Sequence, residues 1–365
     1  MHQSPQRAAW LKFAKRYGGE ADLSGLTDDP GATWLVDVIK GLGTLADSYQ
    51  GDKNQRGEPY RVEHGIFDSM EINGAAGRVA GALVFGISFG TILRLMNAQM
   101  VLLGPPPDER VAKTLDYLLS AAPDDTEPNG ISSVLSVPLT PSSRVQMQDR
   151  TFFSIGFVFL HEAVHTLIGH ADFASQRLNL SLDELSLERE SGTWSELIQA
   201  IELEADSAAF SNLWLTLKQS PRFGFCADQA PDPVDRIAEA TIAGMTALLA
   251  IEGRRLKLNQ DKEYHHPFPS RRISSILRLL STYEQRGLLP KGVREAVAEK
   301  AKHQRPFFQD TPLARLVDVI SGKTNHRPED IARLSELIEL YKSKLTQFEE
   351  MSYAPRVRLA AVERS

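Results

Sequence analysis

The apolar stretch 152–170, FFSIGFVFLHEAVHTLIGH, contains the HExxH pattern of His161, Glu162 and His165. Residues four apart lie on one face of a helix, so the two histidines can bind one metal ion, with Glu162 beside the water that the ion binds. Apolar residues surround the pattern, which predicts a helix buried at the centre of a domain. Such a helix rarely carries ionisable groups for packing alone. We therefore predict a metal site, with two hydrogen-bonded core histidines as the alternative. Gly169 should end the helix in a left-handed conformation.

A second helical pattern, at 193–217, contains the sequence ELEAD. Catalytic zinc takes three protein ligands and leaves a fourth position open for water. Glu202 can supply the third ligand. Asp206, one turn later on the same face, can accept a hydrogen bond from the outer nitrogen of a zinc-binding histidine. The alternative is a solvated acidic face, and we expect Glu204, which points elsewhere, to be solvated.

His170 is a competing third ligand. In the metzincin pattern the third histidine follows the second by six residues, whereas His170 follows His165 by five. A position more than one turn further along the same helix would also point away from the metal. We therefore expect His170 to lie at the helix end or to support a ligand, and we favour a structural role.

A third group of candidate residues lies in EYHHPFPSRRISSILRLL, at 263–280. Its prolines break the chain ahead of a predicted helix at 271–283. His266, just before that helix, could donate a hydrogen bond to the oxyanion of a tetrahedral intermediate. The alternative is a histidine in a surface loop, and the residues alone favour neither.

The order HEAVH, ELEAD and HPFPSRRI resembles the gluzincin metallopeptidases of the CAAX prenyl protease and HtpX class, whose pattern is HExxH, ExxxD and HPxxxxRI. The resemblance implies that Glu162 is the general base, that Asp206 supports a ligand, and that His266 and Arg272 match the last element. It also implies a zinc ion bound by His161, His165 and Glu202. The expected reaction is peptide hydrolysis, in which zinc lowers the pKa of a bound water to about 7 and Glu162 accepts the proton.

Two further resemblances bear on the function. In size and order of elements the chain is similar to the Lit peptidases of phage exclusion, which implies an intracellular endopeptidase acting on a host protein, with a translation elongation factor as the family's known kind of target. The sequence ELEADSAAF also resembles the ImmA/IrrE-like regulators. The alternative function is therefore a regulatory metalloprotein, or a zinc-binding sensor without catalysis.

Composition limits the remaining possibilities. The net charge of −6 indicates no overall basic surface, so we expect no nucleic-acid partner. The single cysteine, Cys226, excludes an intrachain disulfide and fits a reducing compartment. The start has no signal-peptide pattern, and the uncharged stretch 79–93 is too short to cross a bilayer. We expect a soluble, cytoplasmic protein that contacts no membrane.

The overall pattern predicts an α+β fold that is mainly helical, with a small sheet and a helical C-terminal extension; the resemblance adds a zincin-like metallopeptidase core. We divide the chain into an N-terminal helical segment (1–60), a metallopeptidase domain (61–285) and the extension (286–365). A buried strand at 80–88 could pair with an extended substrate. The helix at 328–351 should pack on the domain, with a homo-oligomer contact as the alternative. Further helices are predicted at 33–48, 91–103, 108–121 and 232–255.

Overall fold

The structure is a computed structural model of the chain. It describes residues 5–27, 33–47, 59, 61–71, 73–103, 139–174, 195–220, 223, 232–258, 269–304, 318, 320 and 328–351. The helices discussed below are α1 (Pro5–Ala14), α2 (Ser24–Thr27), α3 (Thr33–Asp47), α4 (Phe89–Leu103), α5 (Pro141–Leu167), α6 (His170–Phe173), α7 (Ser195–Gln219), α8 (Pro233–Leu258), α9 (Pro269–Gln285), α10 (Val293–Gln304) and α11 (Pro328–Met351). The strands are β1 (Val62–Phe67), β2 (Gly74–Val79) and β3 (Ala82–Ser88). These elements confirm the predicted α+β class, mainly helical with a small sheet.

The three strands form one sheet in the order β1-β3-β2. β1 is parallel to β3, whereas β2 joins β3 through a tight antiparallel turn at Ala80 and Gly81, both with positive φ. β3 is buried along its whole length, which confirms the strand predicted at 80–88. Because β3 is the central strand, both of its edges are occupied. The prediction that a substrate pairs with this strand is therefore wrong, and any added strand must pair with β1 or β2.

Helix α5 lies at the centre of the fold and contacts β2, β3, α4, α7 and α8. It begins at Pro141, well before the predicted stretch, because the Thr140 side chain accepts a hydrogen bond from the Ser143 amide and caps its first turn. Two charged residues ahead of the apolar stretch, Asp149 and Arg150, are buried, and Arg150 forms an ion pair with Glu239 of α8 at 2.6 Å. Gly169 follows its end with φ of 89°, which confirms the predicted left-handed residue.

The first and last helices of the described chain pack on different elements of this core. Helix α1 places Trp10 and Phe13 against Phe67 of the sheet, on the face that α5 does not contact. Helix α11 packs on α6, α7 and α9 and buries Leu334 and Leu337, which confirms that its apolar side packs on the protein. Among the described residues, no helix has the length and hydropathy that crossing a membrane requires.

Several predicted features fall outside the described residues. They are the helix at 108–121, Cys226 and His266. Apart from the early start of α5, the other predicted helices occur within a few residues of their expected ends. Two strands, β1 and β2, are not predicted by the sequence pattern. β1 (VEHGIF) has polar residues and a glycine between its apolar ends, and β2 (GAAGRV) is mostly glycine and alanine, so neither shows alternating large apolar residues.

Candidate metal centre

The structure brings His161, His165 and Glu202 together in the interior. The His161 and His165 Nε2 atoms are 3.0 Å apart. Glu202 places Oε2 at 3.1 Å from His161 Nε2 and Oε1 at 3.3 Å from His165 Nε2. A tetrahedral zinc ion with bonds near 2.1 Å needs ligand atoms about 3.4 Å apart. The three groups therefore fit three corners of such a site, and all of them are buried.

Close packing of two helices creates this arrangement. His161 and His165 lie on successive turns of α5, and Glu202 faces them from α7. Beside them, Val164 and Ile168 of α5 pack on small residues of α7, Ala205 and Ala208. Alanines at a helix contact allow the two backbones to come close, so that a glutamate from one helix can reach two histidines of the other.

A charged pair supports His161 on the side away from the other ligands. Asp206 Oδ1 accepts a hydrogen bond from His161 Nδ1 at 3.0 Å, and Arg272 of α9 donates two bonds of 2.6 Å to the same carboxylate. Burial would raise the pKa of Asp206, but Arg272 and, to a smaller extent, His161 outweigh it and hold that pKa below its usual range. The ionised Asp206 fixes a proton on Nδ1 and leaves Nε2 of His161 for a metal.

A neutral pair supports His165. Its Nδ1 lies 3.2 Å from Nδ1 of His170, and Nε2 of His170 lies 3.1 Å from the Tyr341 hydroxyl. Burial, together with the neighbouring His165, holds the pKa of His170 well below its usual range, so that ring is neutral. His170 begins α6 and is not one of the three grouped ligands; it lies behind one of them. The sequence analysis misses Tyr341, since a single tyrosine in an amphipathic helix carries no motif.

Glu162 lies against the edge strand β2. It is buried, and its carboxylate is so close to Gly74 that a Cβ atom at position 74 would lie 2.3 Å from Oε1. Only glycine leaves this space, because a contact under 3.0 Å forces one of the two groups to move. The start of β2 therefore determines where the Glu162 carboxylate, next to the possible metal ligands, can lie.

Two ionisable groups in this region, His161 and Glu204, have raised pKa values. Burial lowers the pKa of His161, but hydrogen bonds to Asp206 and Glu202 outweigh burial and raise it to about 10, so His161 is protonated at neutral pH when no metal is bound. Glu204, predicted to be solvated, is instead buried, and burial raises its pKa to about 8. The prediction for Glu204 is wrong because α11 and α9 cover that face of α7. They leave a cavity of about 370 Å³, lined in part by Glu204, Ser207, Arg278 and Tyr341.

The predicted site residues thus fall into three groups. The structure joins His161, His165 and Glu202 as possible ligands, places Glu162 beside β2, and places Asp206 and Arg272 behind His161. His266 lies outside the described residues. Comparisons of this chain with protein-family models, with curated proteins and with solved structures found no match.

Proposed function

We propose that the protein is a zinc-dependent endopeptidase of the gluzincin type, with a zincin-like core made of the sheet, α5 and α7. The observation that carries this proposal is the buried group of two histidine nitrogens and one glutamate at 3.0 to 3.3 Å, with Glu162 directly after the first histidine. A structural zinc site is usually closed by four protein ligands and needs no adjacent carboxylate. Three ligands plus Glu162 fit a catalytic site better.

The residues of the chain have separate tasks in this reaction. Zinc bound by His161, His165 and Glu202 would polarise the scissile carbonyl and lower the pKa of a water molecule to about 7. Glu162 would accept a proton from the water that attacks the carbonyl carbon, and would then deliver that proton to the leaving amine as the peptide bond breaks. Asp206 stabilises the orientation of His161 throughout. His266, in the segment ahead of α9, remains our candidate for a hydrogen bond to the oxyanion.

The sheet suggests how a protein substrate binds. β2 is an edge strand, and within the described part of the chain no strand pairs with its outer side. Its first residue, Gly74, touches Glu162, whereas near its other end Arg78 forms an ion pair of 3.3 Å with Asp172 of α6. An extended peptide hydrogen-bonded to the Gly74 end of β2 would pass beside Glu162. We propose this edge, in place of β3, for the substrate.

The substrate itself is proposed from resemblance. Similarity to the Lit group in layout suggests an intracellular host protein, such as a translation factor, and a role in phage exclusion within the cytoplasm. The rival proposal is an ImmA/IrrE-like regulator or a zinc sensor that binds the metal without hydrolysis. These two classes differ in whether Glu162 has a measurable effect on peptide cleavage.

The test compares the wild type with Glu162→Gln and with Glu299→Gln, an exposed glutamate on α10 that serves as the matched control. Zinc content is measured for each protein, and each is incubated with a cell lysate whose new peptide termini are identified. We expect about one zinc per chain in all three, and discrete fragments from the wild type and the control only. Zinc in all three without cleavage by any of them would favour the regulator, and a wild type without zinc would refute the metal site.

A further inference from the structure

We propose that Tyr341 and His170 are positioning residues of the metal centre: they hold His165 in the orientation that a metal requires, so that the C-terminal helix α11 is part of the site. This inference rests on the proposed metal-binding function. It adds two residues that belong to neither HExxH nor ExxxD, and it concerns the ligand that Asp206 does not support.

The directions of the hydrogen bonds support the proposal. Nε2 of His165 faces the other two ligands, at 3.0 and 3.3 Å. When Nε2 binds a metal, the proton of the neutral ring is on Nδ1, which must therefore donate. Nδ1 of His170, at 3.2 Å, then accepts, and this leaves the proton of His170 on Nε2, which donates to the Tyr341 oxygen at 3.1 Å. Every step has one donor and one acceptor.

Burial makes this series of bonds selective. The His165, His170 and Tyr341 side chains are all buried, so water does not freely replace a lost partner. In such surroundings a polar group without a partner is unfavourable, and each ring is held in the tautomer that satisfies its neighbours. A His165 ring in the turned orientation would present Nδ1 to the metal instead of Nε2. His170 would then face either the Nε2–H group of His165 or no donor. With a metal on Nε2 of His165 the series can run in one direction only, and the Tyr341 oxygen supplies the acceptor at its end.

The position of the tyrosine is itself fixed by packing. Leu334, Leu337 and Tyr341 of α11 form one buried cluster with residues of α6 and α7. At the start of this contact, Arg333 donates a 2.6 Å hydrogen bond to Glu196 of α7. Since α7 also carries Glu202, α11 is attached to the same helix that supplies the third ligand. The hydroxyl of Tyr341 is thus placed relative to the metal ligands by a rigid contact.

The simplest alternative is that Tyr341 only fills space between α11 and α6. That role needs the ring and does not need the hydroxyl. The chain provides a matched control in Tyr283 of α9, another buried tyrosine, whose hydroxyl donates to Ser211 at 2.9 Å. Ser211 belongs to α7 but not to the metal group. Tyr341→Phe and Tyr283→Phe each remove one buried hydroxyl, and only the first touches the proposed series.

The experiment measures zinc affinity by chelator competition for the full-length wild type, Tyr341→Phe, Tyr283→Phe, His170→Leu and His170→Asn. Removing a partner of a metal ligand typically weakens metal binding 10- to 100-fold. We expect a loss of about 100-fold for His170→Leu and about tenfold for Tyr341→Phe. His170→Asn should recover most of the affinity, because its amide oxygen can replace the Nδ1 acceptor, and Tyr283→Phe should match the wild type.

Equal affinities of Tyr341→Phe, Tyr283→Phe and the wild type would overturn the inference while leaving the proposed function in place. A wild type that binds no zinc would overturn both. Nitrogen NMR of histidines in the zinc-loaded wild type gives an answer that depends on no variant. We expect His170 as the Nε2–H tautomer and His165 as the Nδ1–H tautomer, and a His170 protonated on Nδ1 would contradict the proposed series.

Discussion

The two histidines of one HExxH pattern have opposite kinds of support. Behind His161 lies a buried ion pair of Asp206 and Arg272, whereas behind His165 lie two neutral groups, His170 and Tyr341. A charged partner makes its histidine a stronger ligand but leaves a buried charge when it is broken. A neutral series also orients its histidine, but it leaves no buried charge when it is broken. We infer that the site combines affinity from one side with directional control from the other.

The largest expected effect comes from breaking the charged side. Asp206→Ala removes the bidentate partner of buried Arg272, and disrupting a buried pair from one side typically lowers the free energy of unfolding by about 3–5 kcal/mol. Urea unfolding of the metal-free protein measures this change. The double variant Asp206→Ala/Arg272→Leu should be more stable than Asp206→Ala alone. If it is not, an uncompensated charge is not the cause of the loss.

A second prediction separates metal binding from proton transfer. Gly74 contacts Glu162 and belongs to neither of the two groups that support the histidines. Gly74→Ala places a methyl group where the Glu162 carboxylate lies, and a displacement of about 1 Å of a reacting group can lower the rate roughly 100-fold. We expect that loss in kcat/KM on an identified substrate, with zinc content unchanged. The control is Gly77→Ala on the same strand, where the added Cβ would lie 3.3 Å from Phe13 on the opposite face of the sheet. An equal loss in both variants would refute the specific role of Gly74.

A third prediction uses the charge difference between the two sides. In the metal-free fold the pKa of His161 is raised to about 10, so its charge stabilises the fold fully below pH 6.5, and this stabilisation is lost as pH rises toward 10. Zinc must displace that proton. Zinc affinity should therefore rise by up to about tenfold per pH unit between pH 7 and 10. Calorimetry in two buffers of different ionisation enthalpy measures the proton released. Binding at pH 7 without release of a proton would contradict a charged His161.

The smallest effect is expected for the neutral side. Tyr341→Phe removes one buried hydrogen bond and should lower the unfolding free energy of the metal-free protein by about 1 kcal/mol. Tyr283→Phe should have a similar effect, because its hydroxyl is also buried and hydrogen-bonded. The two variants would then differ in zinc affinity but not in stability. A loss near that of Asp206→Ala would show that Tyr341 has a mainly structural role.

The same comparison explains how much of the site the sequence predicts. His161, Glu162 and His165 are readable because a helix fixes their spacing, and Glu202 and Asp206 because they share one face of a second helix. Their approach across the two helices follows from the alanines of α7, which the sequence also shows. His170 and Tyr341 are 171 residues apart, and no local period relates them. Only the docking of α11 brings them together.

The fold likewise divides into elements that local periodicity predicts and elements that depend on distant contacts. Long helices with periodic apolar residues, such as α8 and α11, are predicted nearly to their ends. Strand β2 is not, because its small residues serve contacts with other elements: Gly74 makes room for Glu162 and Gly77 for Phe13. The wrong prediction for Glu204 has the same origin, since its burial depends on a helix more than a hundred residues away. Features set by a distant element are the ones that sequence patterns do not contain.

The distance between His170 and Tyr341 also has a consequence for synthesis. At usual translation rates, 171 residues correspond to roughly 10 to 30 s on the ribosome. While the last 139 of these residues, those after Glu202, are made, the nascent chain has all three proposed metal ligands, but His165 still lacks the series that ends in Tyr341. On the inference above, a nascent chain holds zinc more weakly than a finished one. Tight metal binding would then begin only after α11 has been made and has packed on α6 and α7.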